Sequence, residues 1–331
     1  MTKDNTTGEV LQDLKKNGKE RPWKGKKMNS LTVLKSFQNL GFEKKAERME
    51  KCGAWLKFAE CRNDNYKKLI HANFCKDRMC PMCNWRRSLK LQWQIMQILH
   101  KAVERKRMRF VFVTLTVRNV PGSELEDAIS KMLKAFKRFM EYKAIDDFCI
   151  GYVRNLEVTY NAQRDDYHHH IHILMAMKPS YFDGKNYMRV SRWVGLWQRA
   201  HKLDYTPVVW VYEVKSKSKS RPKEIPVLKA AAEIGKYSVK DTDYIFKGNQ
   251  KLQDAVIQVL SAALKGRRLI GFGKLFDELH KELKLQNVED KDADLVGNSE
   301  KKCDCPICQS TLVEQLYKWH YGFKNYIGKD I

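Results

Sequence analysis

Residues 168–177, HHHIHILMAM, constrain the fold more tightly than any other stretch of the chain. Alternate side chains of a strand share a face. His168, His170, His172, Leu174 and Ala176 therefore point one way, while His169, Ile171, Ile173, Met175 and Met177 point the other. Apart from His169, the second set is an apolar stripe that needs helices to cover it. CIGYVRNLEVTYNA (149–162) precedes this run, separated from it by the polar turn QRDD, so the two segments read as a hairpin. The first face carries two imidazoles side by side, and neutral imidazoles can share one divalent ion. Across the hairpin Glu157 should lie roughly opposite them, on a face with Asn155 and Thr159, where a carboxylate completes a three-ligand open site.

The flanking pattern extends the hairpin into a sheet. MRFVFVTLTV (108–117) is rich in β-branched and aromatic residues and ends at Asn119-Val120-Pro121-Gly122. Ser123 to about Tyr142 has helical spacing, with Leu125, Ile129, Met132, Leu133, Phe136 and Phe139 on one side. A helix at 189–201 and a strand at 207–214 follow the hairpin. The order strand, helix, strand, strand, helix, strand predicts an α+β fold: a ferredoxin-like split βαβ core with a mainly antiparallel sheet and helices on one face.

Nine cysteines are present, five of them within residues 52–83. Lacking an apolar leader or a run long enough to span a membrane, the chain is expected to be cytoplasmic, where thiols serve as metal ligands or stay free. Cys75, Cys80 and Cys83 have structural zinc spacing, because Cys-x2-Cys supplies two thiolates from one tight turn. Cys52, Cys61 and His71 compete for the fourth position, with Cys52, followed by Gly53, the first choice. Cys303, Cys305 and Cys308 form a second candidate zinc group, with His320 nearby or a thiolate borrowed from elsewhere. Cys149 reads as a core residue.

Lys and Arg outnumber Asp and Glu by 63 to 39, a net charge of +24. Such a surplus implies polyanionic partners, nucleic acid first and an anionic membrane surface second. Arg86 and Arg87 in NWRRSLKLQWQ, and the SKSKSRPK segment, are candidate phosphate contacts. In AAAEIGKYSVKDTDY (230–244), Glu233 and Tyr237 lie four apart on one helical face, and Lys236 and Lys240 share a neighbouring one. Flanking lysines bind phosphate and favour a phenolate nucleophile, although the segment by itself is an ordinary amphipathic helix.

FVTLTVRNVPG (112–122), HHHIHILMAMKPSYF (168–182) and EIGKYSVKDTD (233–243), in that order, resemble the three motifs of the HUH-type rolling-circle plasmid replication initiators. His170-Ile171-His172 fits the HUH element, and Glu233 with Tyr237 fits the E-x-x-x-Y form of the third motif. CKDRMCPMCNWRRSLK (75–90) and RNLEVTYN (154–161) are also similar, so the likeness runs from about Cys52 to Val296. His169 departs from it, standing where proline is common, as does the CDCPIC tail.

The resemblance implies a site-specific DNA nickase. Mg²⁺ or Mn²⁺ would be held by His170, His172 and Glu157, with His168 a weaker fourth ligand. Tyr237 would attack the scissile phosphate to give a 5′-phosphotyrosyl enzyme and a free 3′-hydroxyl primer, and Glu233 would activate water for termination. Thr114 and Thr116 are candidates to line the DNA channel. Implied partners are origin DNA, single-stranded or hairpin at the nick, and the host helicase and polymerase. An HUH transposase or relaxase, and a non-enzymatic zinc-containing nucleic-acid-binding protein, are the competing readings. The expected organisation is a flexible basic arm (1–28), a helical zinc-binding region (29–107), the endonuclease core (108–245) and a C-terminal helical region with a cysteine-containing tail (246–331).

Overall fold

The computed structural model describes residues 6–15, 17–214, 231–235, 239–297 and 304–329. In chain order the first elements are β1 (Thr6–Val10), α1 (Trp23–Asn39), α2 (Glu43–Lys51), β2 (Trp55–Glu60), β3 (Lys67–Ala72) and α3 (Pro81–Arg105). They are followed by β4 (Arg109–Thr116), α4 (Leu125–Met140), α5 (Lys143–Asp146), β5 (Cys149–Asn161), β6 (Asp166–Met177), α6 (Val190–His201) and β7 (Val209–Glu213). The chain ends with α7 (Gln250–Ala263), β8 (Ile270–Lys274), α8 (Leu275–Glu282), β9 (Val313–His320) and β10 (Asn325–Lys329). The fold is α+β, with two five-stranded sheets whose pairings are all antiparallel. No described helix is long and apolar enough to cross a membrane.

Two units divide the chain. One comprises residues 88–244 and 255–289, and its sheet has the order β7-β4-β6-β5-β8. The β5–β6 hairpin turns at Asn161, whose side chain accepts the amides of Gln163 and Arg164 at 3.0 Å each, and Asp165 takes the left-handed conformation (φ 51°) that closes the turn. Gly273 on β8 faces Tyr152 of β5, where any Cβ would lie 2.2 Å from the ring.

Both faces of this sheet are covered, where helices on one face were expected. On one face Phe110 and Phe112 of β4, Val153 of β5, and Leu174 and Ala176 of β6 pack with Leu91, Ile95, Ile98, Leu99 and Ala102 of α3. Ala231 and Ile234, and Leu275, Phe276 and Leu279, join the same cluster. On the other face Phe136 of α4 meets the ring of Tyr152 edge-on at 5.7 Å, and Phe139 packs on Trp193 and Trp197 of α6. The strand alternation of β6 shows only one full apolar stripe, since its other face is apolar only at Leu174 and Ala176 and polar at the histidines.

The other unit comprises residues 1–87, 245–254 and 290–331, with sheet order β1-β10-β9-β2-β3. It corrects two expectations. Much of the 1–28 arm is structured: β1 pairs with β10, and α1 begins at Trp23, whose indole donates to Asp13 Oδ2 at 2.7 Å. The region after 246 is only partly helical, because β8 joins one sheet while β9 and β10 complete the other. β9 pairs with β2, from Trp55↔Lys318 to Glu60↔Val313, so strands from opposite ends of the sequence stabilise each other.

Candidate metal centres and nucleic-acid surface

The register of the hairpin sets Glu157 opposite His170, Asn155 opposite His172 and Thr159 opposite His168. Toward α3 the same face is apolar, at Leu174 and Ala176. The apolar cover ends at Phe112, whose ring centroid lies 5.6 Å from that of His172. His170 Nε2 and His172 Nε2 converge to 3.1 Å, and Glu157 Oε2 lies 3.8 Å from the first and 3.4 Å from the second. Two nitrogens bound at roughly 2.1 Å to one ion sit roughly 3.0–3.4 Å apart. The three donor atoms therefore fit a single divalent ion.

The site's electrostatics keep two of the donors, His170 and Glu157, deprotonated. Burial pushes the His170 imidazole down to about 3, helped by repulsion from His172, so its ring is neutral at neutral pH. Burial opposes the Glu157 charge, but hydrogen bonds from His172 and Lys240, together with the Lys240 ammonium, hold the carboxyl at about 2. Glu157 is 3% exposed, and its second oxygen accepts a hydrogen bond from Lys240 Nζ. His172 Nδ1 lies 2.9 Å from Thr114 Oγ1, which leaves Nε2 aimed at the site. Asn155 does not enter the donor set; its amide donates to Ile234 O at 3.0 Å and ties the strand to the residue that follows Glu233.

The other candidates divide. His168 stays outside the donor group, its Nδ1 2.8 Å from Asn119 Oδ1. Thr116 Oγ1 donates to Val208 O at 2.8 Å. Glu233 is half-buried. Tyr237 and Lys236 lie outside the described residues, as does the SKSKSRPK segment. Lys240 is engaged by Glu157 rather than free for phosphate.

Exposed aromatic side chains continue the histidine-bearing face onto β7. Trp210 is the register partner of Thr114 and Tyr212 that of Phe112. Trp210 is 65% exposed, and Tyr212 is 53% exposed and stacked on Phe112 at 5.4 Å. A groove beside them is lined by Thr116, Arg118, His168, Tyr205, Val208 and Trp210, with the Arg118 guanidinium 3.9 Å over the Tyr205 ring. Sequence reading missed this surface. Its signal was an edge strand, PVVWVYEV, carrying large apolar residues on both faces.

In the other unit, Cys52 at the end of α2, Cys75, Cys80 and Cys83 bring four sulfurs within 4.8 Å of one another. Cys52 lies 3.6 Å from both Cys80 and Cys83, and Cys75 lies 3.7 Å from Cys83. Sulfurs around one tetrahedral zinc at about 2.3 Å would be about 3.8 Å apart. The amides of Cys75 and Lys76 point at Cys52 Sγ and Cys83 Sγ, at 3.3 and 3.2 Å. Beneath them Lys27, fully buried, donates to Glu50 O and Cys52 O at 2.9 and 2.7 Å. Of the alternatives for the fourth position, His71 packs on Trp55, and Cys61 lies instead against Cys308. Cys303 is outside the described residues, and Cys149 is a buried strand residue whose thiol is pushed up to about 12.

Arg86 and Arg87 are corrected. Arg87 is 2% exposed, its guanidinium bonded to Asp77 O at 3.1 Å, Asn84 Oδ1 at 3.0 Å and Lys76 O. Arg86 donates to Leu295 O and Val296 O at 2.9 and 2.6 Å and lies over the Trp23 and Trp85 rings. Both hold loops together instead of facing phosphate. A run of charge looks the same in sequence whether carbonyls or solvent receive it.

A family model described as "Replication protein" matches residues 66–327. The chain belongs to this replication-protein family, in keeping with its resemblance to plasmid rolling-circle replication initiators. It is 39% identical to a "Protein rep" of Bacillus amyloliquefaciens over 97% of both chains. It is also 40% identical to a "Protein rep" of Streptococcus pneumoniae over 100% of this chain and 99% of that one. A "Replication protein" of Staphylococcus aureus is 33% identical, covering 72% of this chain and 98% of its own. No solved structure matches.

Proposed function

We propose that this member of the replication-protein family initiates rolling-circle replication of a plasmid by a metal-dependent, site-specific nick at the origin. The observation that carries the reading is the convergence of Glu157, His170 and His172 on one sheet face, beside the segment that bears Glu233. A strand order of β7-β4-β6-β5 around two strand–helix–strand crossings supports a split βαβ core of the HUH type.

His170, His172 and Glu157 would hold Mg²⁺ or Mn²⁺, which when bound polarises and orients the scissile phosphate. Thr114 Oγ1 would accept a hydrogen bond from His172 Nδ1–H and so fix the tautomer that presents Nε2. The Tyr237 phenolate attacks phosphorus. One P–O bond forms to the tyrosine as the bond to the 3′-oxygen breaks, leaving a 5′-phosphotyrosyl link and a 3′-oxyanion that takes a proton from water to become the 3′-hydroxyl primer. Lys240, already beside Glu157, and Lys236 add positive charge near the phosphate. At the end of a round, Glu233 takes a proton from water as the water attacks the phosphotyrosine and releases the enzyme. Trp210 and Tyr212 provide stacking surfaces for unpaired bases, and the surplus of basic residues gives salt-dependent affinity for the backbone. Cys52, Cys75, Cys80 and Cys83 hold a structural zinc, since a four-thiolate set is closed to substrate.

The test is nicking of a labelled origin single strand in Mn²⁺ by wild type and by the His170→Ala/His172→Ala double variant. Loss of nicking with DNA binding retained is expected. Full nicking by the double variant, insensitive to chelator, would overturn the metal assignment.

A further inference from the structure

Cys61 and Cys305 open two short loops of the same construction. The Cys61 amide donates to Tyr66 O at 3.0 Å, closing residues 61–66, and the Cys305 amide donates to Ser310 O at 2.8 Å, closing residues 305–310. In each loop the amide two residues on points back at the sulfur. Asn63 N lies 3.4 Å from Cys61 Sγ, and Ile307 N lies 3.4 Å from Cys305 Sγ. Each loop then offers a second donor three residues after the first: Asp64 in one, Cys308 in the other.

The two loops face each other. Cys61 Sγ is 3.4 Å from Cys308 Sγ, Cys305 Sγ is 3.0 Å from Asp64 Oδ2, and all four donor atoms lie within 4.8 Å of one another. Asn63 Nδ2 donates across to Ser310 Oγ at 2.7 Å. A sulfur pair at that separation is unbonded, since a disulfide spans about 2.05 Å. Donors at positions i and i+3 of a tight loop, with an amide aimed at the sulfur, make a zinc half-site. Here two such half-sites meet.

We infer that Cys61, Asp64, Cys305 and Cys308 form a second structural zinc site, with three thiolates and one carboxylate. It differs from the group read from the sequence, because half of its ligands come from the β2–β3 turn. Its place in the fold gives it a purpose. Cys61 follows Glu60, the last residue of β2, and the 305–310 loop leads into β9, whose Val313 is the register partner of Glu60. Zinc here would clamp the end of the β2–β9 pair and hold the C-terminal strands to the N-terminal half of the chain.

The test combines zinc counting with thiol protection on the full-length protein purified without chelator. Two zinc ions per chain are expected for wild type, and one each for Cys305→Ser and Cys61→Ser. Cys308 is exposed, so in wild type it should resist iodoacetamide until a zinc chelator is added, a readout that needs no variant to fold. Cys80→Ser, aimed at the other group, should lose its own zinc while leaving Cys308 protected in chains that remain folded. The inference is overturned if Cys308 alkylates at one rate with and without chelator. It is equally overturned by a Cys61–Cys308 disulfide in the native protein, or by a zinc count unchanged in Cys305→Ser and Cys61→Ser.

Discussion

Thr114 Oγ1 and His172 Nδ1 lie 2.9 Å apart across the β4–β6 ladder, and the contact turns the opposite ring nitrogen toward His170 Nε2, 3.1 Å away. Thr114→Val keeps the shape and removes the hydrogen bond. Partners of this kind typically contribute roughly 10–100-fold to metal affinity. The Mn²⁺ concentration for half-maximal nicking should rise by about that factor, with the rate at saturating metal near normal and Thr114→Ser restoring the original value. An unchanged Mn²⁺ dependence would remove Thr114 from the site.

His169 points to the core face of the same strand, 1% exposed, and burial pushes its pKa down to about 4. An unfolded chain protonates this ring near pH 6.5, whereas the folded chain holds it neutral to about 4. Acid therefore favours unfolding: the stability present above pH 6.5 is lost progressively as pH falls toward 4. At about 1.4 kcal/mol per pH unit, the loss from this one group is on the order of 3 kcal/mol. His169→Leu should flatten the decline in Tm between pH 6.5 and 4. Identical pH profiles for variant and wild type would show that the ring is protonated as readily folded as unfolded.

Lys27 is a fully buried ammonium bonded to the carbonyls of Glu50 and Cys52, directly beneath four cysteines. Four thiolates around Zn²⁺ carry a net charge of −2, and a buried cation beside them offsets it. Lys27→Met should shed zinc to a chromogenic chelator about tenfold faster than wild type or more. Release at the wild-type rate would mean that Lys27 serves only the α2 carbonyls.

The β5–β6 hairpin and its register were legible because a strict two-residue period admits one pairing in which both the apolar stripe and the polar histidines find their faces. The four-cysteine group was legible because three of its members lie within nine residues, 75–83, fixing their proximity locally. The N-terminal sheet was not. β2 and β9 each need a partner about 260 residues away, as in Trp55↔Lys318, and neither strand is long or apolar enough to declare itself alone. The same distance hid the meeting of Asp64 with Cys305. Arg86 and Arg87 were misread because their carbonyl acceptors, including Leu295 and Val296, carry no side-chain signature.

Glu233 and Tyr237 are given separate tasks, and substitutions separate them. Glu233→Ala retains the nucleophile and the metal ligands, so the first nick should survive while termination fails and covalent adduct or multimeric product accumulates. Glu233→Tyr should partly restore termination, since a second tyrosine four residues before Tyr237 can attack in place of water. Initiation abolished as fully by Glu233→Ala as by loss of Tyr237 would make Glu233 a metal ligand or a base for the tyrosine instead.

The most direct measurement is the site of covalent attachment to DNA. Wild-type protein is incubated with an origin single strand and Mn²⁺, resolved under denaturing conditions, digested, and the nucleotide-bearing peptide identified by mass spectrometry. The expected result is one 5′-phosphotyrosyl adduct on Tyr237, absent with chelator and absent in Tyr237→Phe. An adduct on any other residue, or efficient nicking by Tyr237→Phe, would contradict the proposed reaction.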